Sequence, residues 1–522
     1  VWQSRGDGLK KKGFVYGSIL LTFVNFLIRF IGFSYDVILS KLMGAEGIGL
    51  FQMMMPVLMI FLIITTAGIP TAVSKLIAEY SSKNNYDAVR KTYRVAVFFT
   101  LSLSIGLSLI LISFRGFIGL RIFKNEDALR CIYFLPPALV LISITSVMRG
   151  YYYGLKMIGI ASISEIVEHF TRFVIVIGLL YSIYPLDPIL GAFIAICGIS
   201  IGEFFDLVWL LFMQSRFTKR LPYTIPTSIK MTQLLRQILT ISAPLTLSGL
   251  FHVILQFTNA ILIPQRLMAS GYTYSEAIAT FGRVMGMAMP LTYLPYFVTS
   301  ALVINIIPNL SEQVFVKNYK TAKNNIHLAI KITLLVSIPL TALYVFFSKP
   351  LAVYLYSDPK ASESIYLLGF CTIFLAIQHT FSGILYGLGK QKNTTIHRMI
   401  GMSLQFAAVY YLVGNPSYGI YGYYTGFFLC TLSICILDFY TLWKMIKMKY
   451  QYTDLFIKPF FAAALMIILI LQTQQWFLSI NFHLSTSFIY SLIIGGLGYI
   501  LVLFITKAVP RNLLGMLFRI NK

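Results

Sequence analysis

The sequence predicts an all-α polytopic membrane protein. About fourteen transmembrane helices are expected, as two pseudo-symmetric six-helix lobes plus a C-terminal helix pair. Three observations predict this. Of 522 residues, 57% are hydrophobic and only 11% are charged, more apolar surface than a water-soluble chain of this size can hide. Apolar runs recur along the whole length, each near the ~20 residues a helix needs to cross ~30 Å of hydrocarbon. The chain also repeats itself. Residues 150–155 read Gly-Tyr-Tyr-Tyr-Gly-Leu and residues 383–388 read Gly-Ile-Leu-Tyr-Gly-Leu, an offset of 383 − 150 = 233. Pro56, Thr65-Thr66-Ala67 and Glu79 are answered by Pro290, Thr299-Ser300-Ala301 and Glu312, an offset of 290 − 56 = 234.

In order, the apolar spans lie at about 14–37, 48–76, 93–114, 131–150, 160–184, 188–213, 237–263, 277–308, 326–347, 364–388, 395–413, 418–443, 459–478 and 486–506. The first follows Lys10-Lys11-Lys12 and has no small-residue cleavage site after it, so it is expected to be a retained helix. Six spans separate the copies, so both start in the same orientation and form parallel repeats. The expected domains are an N-terminal lobe (1–213), a basic linker (214–236), a C-terminal lobe (237–443) and the added helix pair with its tail (444–522).

Charge sets the expected orientation. With the N-terminus inside, 31 of the 42 Lys and Arg fall on inner loops, inner helix ends or tails, eight fall outside and three lie within spans. The positive-inside rule then places both termini in the cytoplasm. The net charge of +24 is explained by bases at an anionic inner leaflet, not by nucleic acid. Five cysteines lie in or beside apolar runs without CxxC spacing and read as buried thiols.

The chemistry is expected where ionisable groups sit in hydrocarbon, at ~2.5–3.5 kcal/mol each on insertion scales. Span one carries Asn25, Arg29, Gly32 and Asp36 on one helical face. Arg29 lies roughly 22 Å along that helix from Phe14 at 1.5 Å per residue, too deep to snorkel readily. It reads as a cation offered to an anionic substrate, or as half of an internal ion pair. Span five carries Glu165, Glu168, His169 and Arg172 at i, i+3, i+4 and i+7. That face is either a cavity wall or a closed network in which Glu168 and Arg172 pair. Glu203 and Asp206 in span six are candidates for ion coupling, or partners of Arg172 or of bases at the inner side. Ser248, His252, Gln256 and Asn259 form a polar stripe on span seven, suited to a saccharide or to helix contacts. Span eight carries Arg283 between Gly282 and Gly286. Arg29 and Arg283 come from opposite halves, and two guanidinium forks suit a phosphate or pyrophosphate.

Other patterns carry little. Gly198-Ile199-Ser200-Ile201-Gly202 matches a nucleophile pattern but lies inside an apolar span, where small residues aid helix packing. There is no phosphate loop of the GxxxxGK[ST] type. His327, His379, His397 and His483 show no metal-ligand spacing. No metal and no cofactor is expected, and the loops are too short for an enzyme's catalytic acids and bases.

Arg29-x-x-Gly32-Phe33-x-x-Asp36, Gly44-Ala45-Glu46-Gly47-Ile48-Gly49-Leu50, and Ala67-Gly68-Ile69-Pro70-Thr71-Ala72-Val73-Ser74-Lys75-Leu76 with Glu79 resemble the stage V sporulation protein B family. That family belongs with the multidrug/oligosaccharidyl-lipid/polysaccharide exporters. The Arg283 segment through Pro308-Asn309-Leu310-Ser311-Glu312 resembles the MurJ-type lipid II flippases. The resemblance covers essentially the whole chain. It implies alternating access and transfer of an undecaprenyl-pyrophosphate-linked saccharide, such as a peptidoglycan precursor for spore cortex, from inner to outer leaflet of the bacterial plasma membrane. It implies that Arg29 and Arg283 hold the pyrophosphate, that the last helix pair guides the lipid tail, and that the protein works as a monomer near the cell-wall machinery. Rival readings are a teichoic-type or other polysaccharide exporter, a drug/cation antiporter on the same fold, a membrane enzyme and a scaffold. The last three are disfavoured by fourteen spans with arginines from both halves, short loops and buried charges.

Overall fold

The computed structural model describes residues 7–217, 229–446 and 453–508. Among these the chain is helical throughout, with short π-helical turns and no strand. In order the helices are α1 (Asp7–Thr66), α2 (Ile69–Ser82), α3 (Tyr86–Ser113), α4 (Glu126–Ile132), α5 (Leu135–Gly154), α6 (Ile158–Ser182), α7 (Pro188–Phe217), α8 (Met231–Ala269) and α9 (Tyr274–Gly282). Then follow α10 (Met289–Thr292), α11 (Tyr296–Phe315), α12 (Tyr319–Phe346), α13 (Ser348–Tyr356), α14 (Ala361–Gly387), α15 (Gln391–Ala408), α16 (Tyr421–Ile446), α17 (Lys458–Ser479) and α18 (Leu484–Ile505).

Among the described residues, nine helices are long and apolar enough to cross a membrane, ten if the bent pair α9–α10 and α11 counts as one span. The difference from fourteen has physical sources. The stretch Phe26–Ser82 counts once, yet its 57 residues at 1.5 Å each make ~85 Å, far more than one crossing. It breaks at Gly44, whose φ of 68° combined with a ψ of −178° only glycine adopts without strain. The charges in α6 dilute its apolar run. Span eight is not continuous either. Arg283–Ala288 is a π-helical turn, and the chain bends by 54° between Thr292 and Tyr296, where Pro295 follows Leu294. Large apolar side chains stand exposed on many helices, Phe98 at 74% and Leu497 at 62% among them, as a lipid-facing surface requires.

Two compact units emerge: residues 1–265 with 273–282, and 266–272 with 283–522. Inside each, the duplication is visible as repeated packing. Gly150 of α5 lies against Pro70, with its carbonyl oxygen 2.6 Å from where a Cβ would stand. Gly383 of α14 lies against Val303 at the same 2.6 Å, and Val303 is 233 residues beyond Pro70. Gly154 meets Ser74 and Ile77, and Gly387 meets Ile307 and Leu310, again at offset 233. Any larger residue would push these helices apart. Left-handed residues recur at that offset too: Asn84 and Lys317, Lys124 and Ser357, Lys156 and Gly389. The Asn85 side chain accepts from the amide of Ala88 to cap α3, and Asn318 accepts from that of Thr321 to cap α12.

Close crossings also join elements of the first unit. A Cβ on Gly49 would strike the carbonyl oxygen of Ile278, and one on Gly282 that of Ala45. In the second unit α17 and α18 pack on each other through Gly495 against Ile470, and dock on α12 where the Tyr499 hydroxyl donates to the carbonyl of Leu335 at 2.8 Å.

Candidate functional site

The polar face of α6 divides between a network and a cavity. Gly198 and Gly202 of α7 make room for it: Gly198 lies against Val176, and a Cβ on Gly202 would come within 3.0 Å of the Glu168 carbonyl and 3.2 Å of Arg172 Nε. The apparent nucleophile pattern is therefore helix packing.

On the network side, Arg172 pairs with Glu168 one turn back. Glu165 accepts from the Tyr153 hydroxyl at 3.2 Å. The unexpected member is Arg149, near the C-terminal end of α5. Its Nη2 lies 2.6 Å from Glu168 Oε2, pairs with Asp206, and stands 4.0 Å from Glu203. Thr145 donates to Glu203 at 2.7 Å. Carboxylate oxygens of Glu168, Glu203 and Asp206 lie within 4.8 Å of one another, and the Arg149 guanidinium bridges them. The base that holds Asp206 is thus Arg149 from α5, not Arg172. Arg149 sits at a helix end, where a base reads as a leaflet anchor. Its signal lay in position: it immediately precedes the repeat glycine Gly150.

On the other side opens a cavity of about 290 Å³ between α1, α6 and α7, lined by Gly32, Tyr35, Asp36, Gln52, His169 and Arg172 among others. Of the span-one and span-five residues, it gathers Asp36, His169 and Arg172. The buried Tyr35 hydroxyl and Arg172 Nε have no hydrogen-bond partner among the described residues. Both atoms are buried within the wall, Arg172 Nε against Gly202 and the Tyr35 hydroxyl near Gly198, and what the cavity itself offers a ligand is the mixed polar lining of Asp36, Gln52, His169 and Arg172.

Other candidates lie elsewhere. Arg29 is exposed and does not line this cavity. Gln256 is exposed and Asn259 half-buried on α8, also outside the lining. The side chains of Asn25, Ser248 and His252 fall outside the described residues. Arg283, in the second unit, is held by Asp358, whose Oδ2 accepts from its Nε at 2.7 Å. Asp358 also accepts from the Lys360 amide, which fixes the carboxylate. A second cluster was not legible as a motif. His397 Nδ1 on α15 lies 2.7 Å from Asp438 Oδ1 on α16, and Ser382 on α14 donates to Oδ2 at 2.8 Å.

Comparison with known proteins places this architecture. The model of the family described as polysaccharide biosynthesis protein matches residues 14–314. The chain belongs to that family. The MatE model matches residues 249–411 of this polysaccharide biosynthesis family member, which accords with the multidrug/oligosaccharidyl-lipid/polysaccharide exporter superfamily. It is 24% identical over 431 residues to stage V sporulation protein B of Bacillus subtilis (strain 168), covering 81% of this chain and 83% of that one. It is 24% identical over 417 residues to the lipid II flippase MurJ of the same organism, covering 74% and 75%. A solved MurJ structure in an inward closed conformation shares the fold with a TM-score of 0.68 at 16% identity, over 95% of this chain and 100% of that one. An inward-facing multidrug transporter of the MATE family scores 0.63 at 16% identity, over 82% and 98%. The family member is thus a multi-pass membrane protein with a transporter fold.

Proposed function

We propose that this protein is a flippase that moves an undecaprenyl-pyrophosphate-linked saccharide across the membrane by alternating access. The expected cargo is a lipid II-like peptidoglycan precursor for spore cortex. The observation that carries this reading is the 290 Å³ cavity with Asp36, His169 and Arg172 at its wall, in a chain of the polysaccharide biosynthesis family. Its similarity to a sporulation protein and to a lipid II flippase supports the cargo.

In this reading Arg29 and Arg283 bind the pyrophosphate. Asp358 accepts from the Nε–H of Arg283, and a guanidinium has further N–H donors on its fork. Asp36, His169 and Arg172 face the head group, and α17 and α18 guide the prenyl tail. Both termini lie in the cytoplasm, and membrane potential or an ion gradient supplies the drive.

The test is lipid transfer in proteoliposomes with Arg29→Glu and Arg283→Glu. Each is expected to lose more than about tenfold in rate, the scale of one charge-assisted bond. Wild-type transfer by both variants, with normal insertion, removes the pyrophosphate role. Mass spectrometry of undecaprenyl-linked species that co-purify with the protein, with Arg29→Ala as control, identifies the saccharide. A lipid-free preparation that binds organic cations instead would favour the antiporter.

A further inference from the structure

Each half of the molecule buries one aspartate among three helices, and the corresponding positions carry different chemistry. In the first copy Arg149 of α5 and Ser164 of α6 face Asp206 of α7. In the second copy Ser382 of α14 and His397 of α15 face Asp438 of α16. Ser382 follows Arg149 by 233 residues, His397 follows Ser164 by 233, and Asp438 follows Asp206 by 232. The aspartate is kept, while the base and the serine have exchanged helices.

That exchange changes what the site can do. A guanidinium stays charged at every pH a cell meets. An imidazole gains and loses its charge near neutrality. The Asp438 side chain is 0% exposed, whereas the His397 side chain keeps 11% exposure, so the imidazole is the edge of the pair that reaches the molecular surface. Besides His397 and Ser382, the groups that act on Asp438 are Arg398 of α15 and the Cys435 thiol of α16 itself.

We propose that His397 and Asp438 form a proton-binding site, the point at which the second half couples to H⁺. With the proton bound, the pair is neutral overall and hydrogen-bonded. With the proton released, the buried carboxylate keeps the Ser382 hydrogen bond and that of a neutral imidazole but loses its adjacent cation, which weakens the pair. The contact that ties α14, α15 and α16 together is then looser. Proton occupancy therefore biases the arrangement of these three helices. The coupling role rests on the transport reading above; proton binding itself does not.

Two measurements in nanodiscs decide it, and neither needs a transport substrate. Imidazole ¹⁵N NMR of histidine-labelled protein assigns His397 by its loss in His397→Gln. Between about pH 5 and 9 the His397 signals are expected to move with pH in wild type, and to follow a displaced curve in Asp438→Asn. No change over that range, or one curve for both proteins, overturns the site. Hydrogen exchange of α14–α16, corrected for intrinsic rates, is expected to change with pH by about threefold or more in wild type. It is expected to change much less in His397→Gln, and little in α5–α7 of either protein. Equal pH dependence of α14–α16 in wild type and His397→Gln overturns the link between proton and packing. Failure of lipid transfer with both results intact would count against the cargo alone.

Discussion

Asp206 and Asp438 stand at matching places of a duplicated scaffold, one residue apart in register, and are held in two ways. Asp206 belongs to a network with a bridging guanidinium and two further acids, Glu168 and Glu203. Asp438 has one imidazole and one hydroxyl at hydrogen-bonding distance. Around them the copies agree closely, with packing glycines, left-handed residues and helix caps at one offset. Backbone packing tolerates little change, because a Cβ at Gly154 or Gly387 forces helices apart. Side chains inside a small polar cluster can be exchanged provided each buried charge keeps a partner. Duplication therefore fixed the scaffold and left the charges to diverge.

The comparison breaks most readily at the bridging base. Arg149→Leu leaves three buried acids short of their shared cation, and removing one partner of a buried pair costs ~3–5 kcal/mol. Ser382→Ala at the matching position removes one hydrogen bond to a carboxylate, ~1.5–3 kcal/mol. Thermal unfolding in detergent should rank them in that order. Equal losses would mean that the clusters are energetically alike. The smallest effect tests the shared scaffold: Asn85→Ala and Asn318→Ala should each cost ~0.5–2 kcal/mol as lost caps. The same melts should give nearly equal values, and a clear inequality would show that the copies differ in their backbone as well.

Much of this was legible in the sequence because a bilayer leaves few options. Spans show as apolar runs, and the repeat shows where glycine permits close packing, at Gly150 and Gly383. The α6 face follows from helical spacing alone, and Glu168 does pair with Arg172. What spacing does not carry is the partner on another helix. Arg149 reads as a leaflet anchor until the fold brings α7 beside it. Asp358 lies 75 residues from Arg283, in a loop that charge counting treats only as surface. The break in span eight was hidden because its apolar run continues through Pro290 and Pro295. His397 and Asp438 would have emerged from aligning the two copies position by position, where Asp206 and Asp438 coincide to within one residue.

The Arg149 bridge also bears on how the chain enters the bilayer during synthesis. Alone, α6 brings Glu165, Glu168 and Arg172 into hydrocarbon, each unfavourable by ~2.5–3.5 kcal/mol at a helix centre. Only residues 155–157 separate it from α5, and Arg149 meets Glu168 across that hairpin. The unit of insertion is then expected to be the α5–α6 pair, with the earlier helix acting as a template for the later one. Glycosylation-site mapping should find α6 poorly inserted alone, well inserted behind α5, and poorly again behind α5 bearing Arg149→Leu. Equal insertion in all three contexts would mean that α6 crosses the membrane without its neighbour's help.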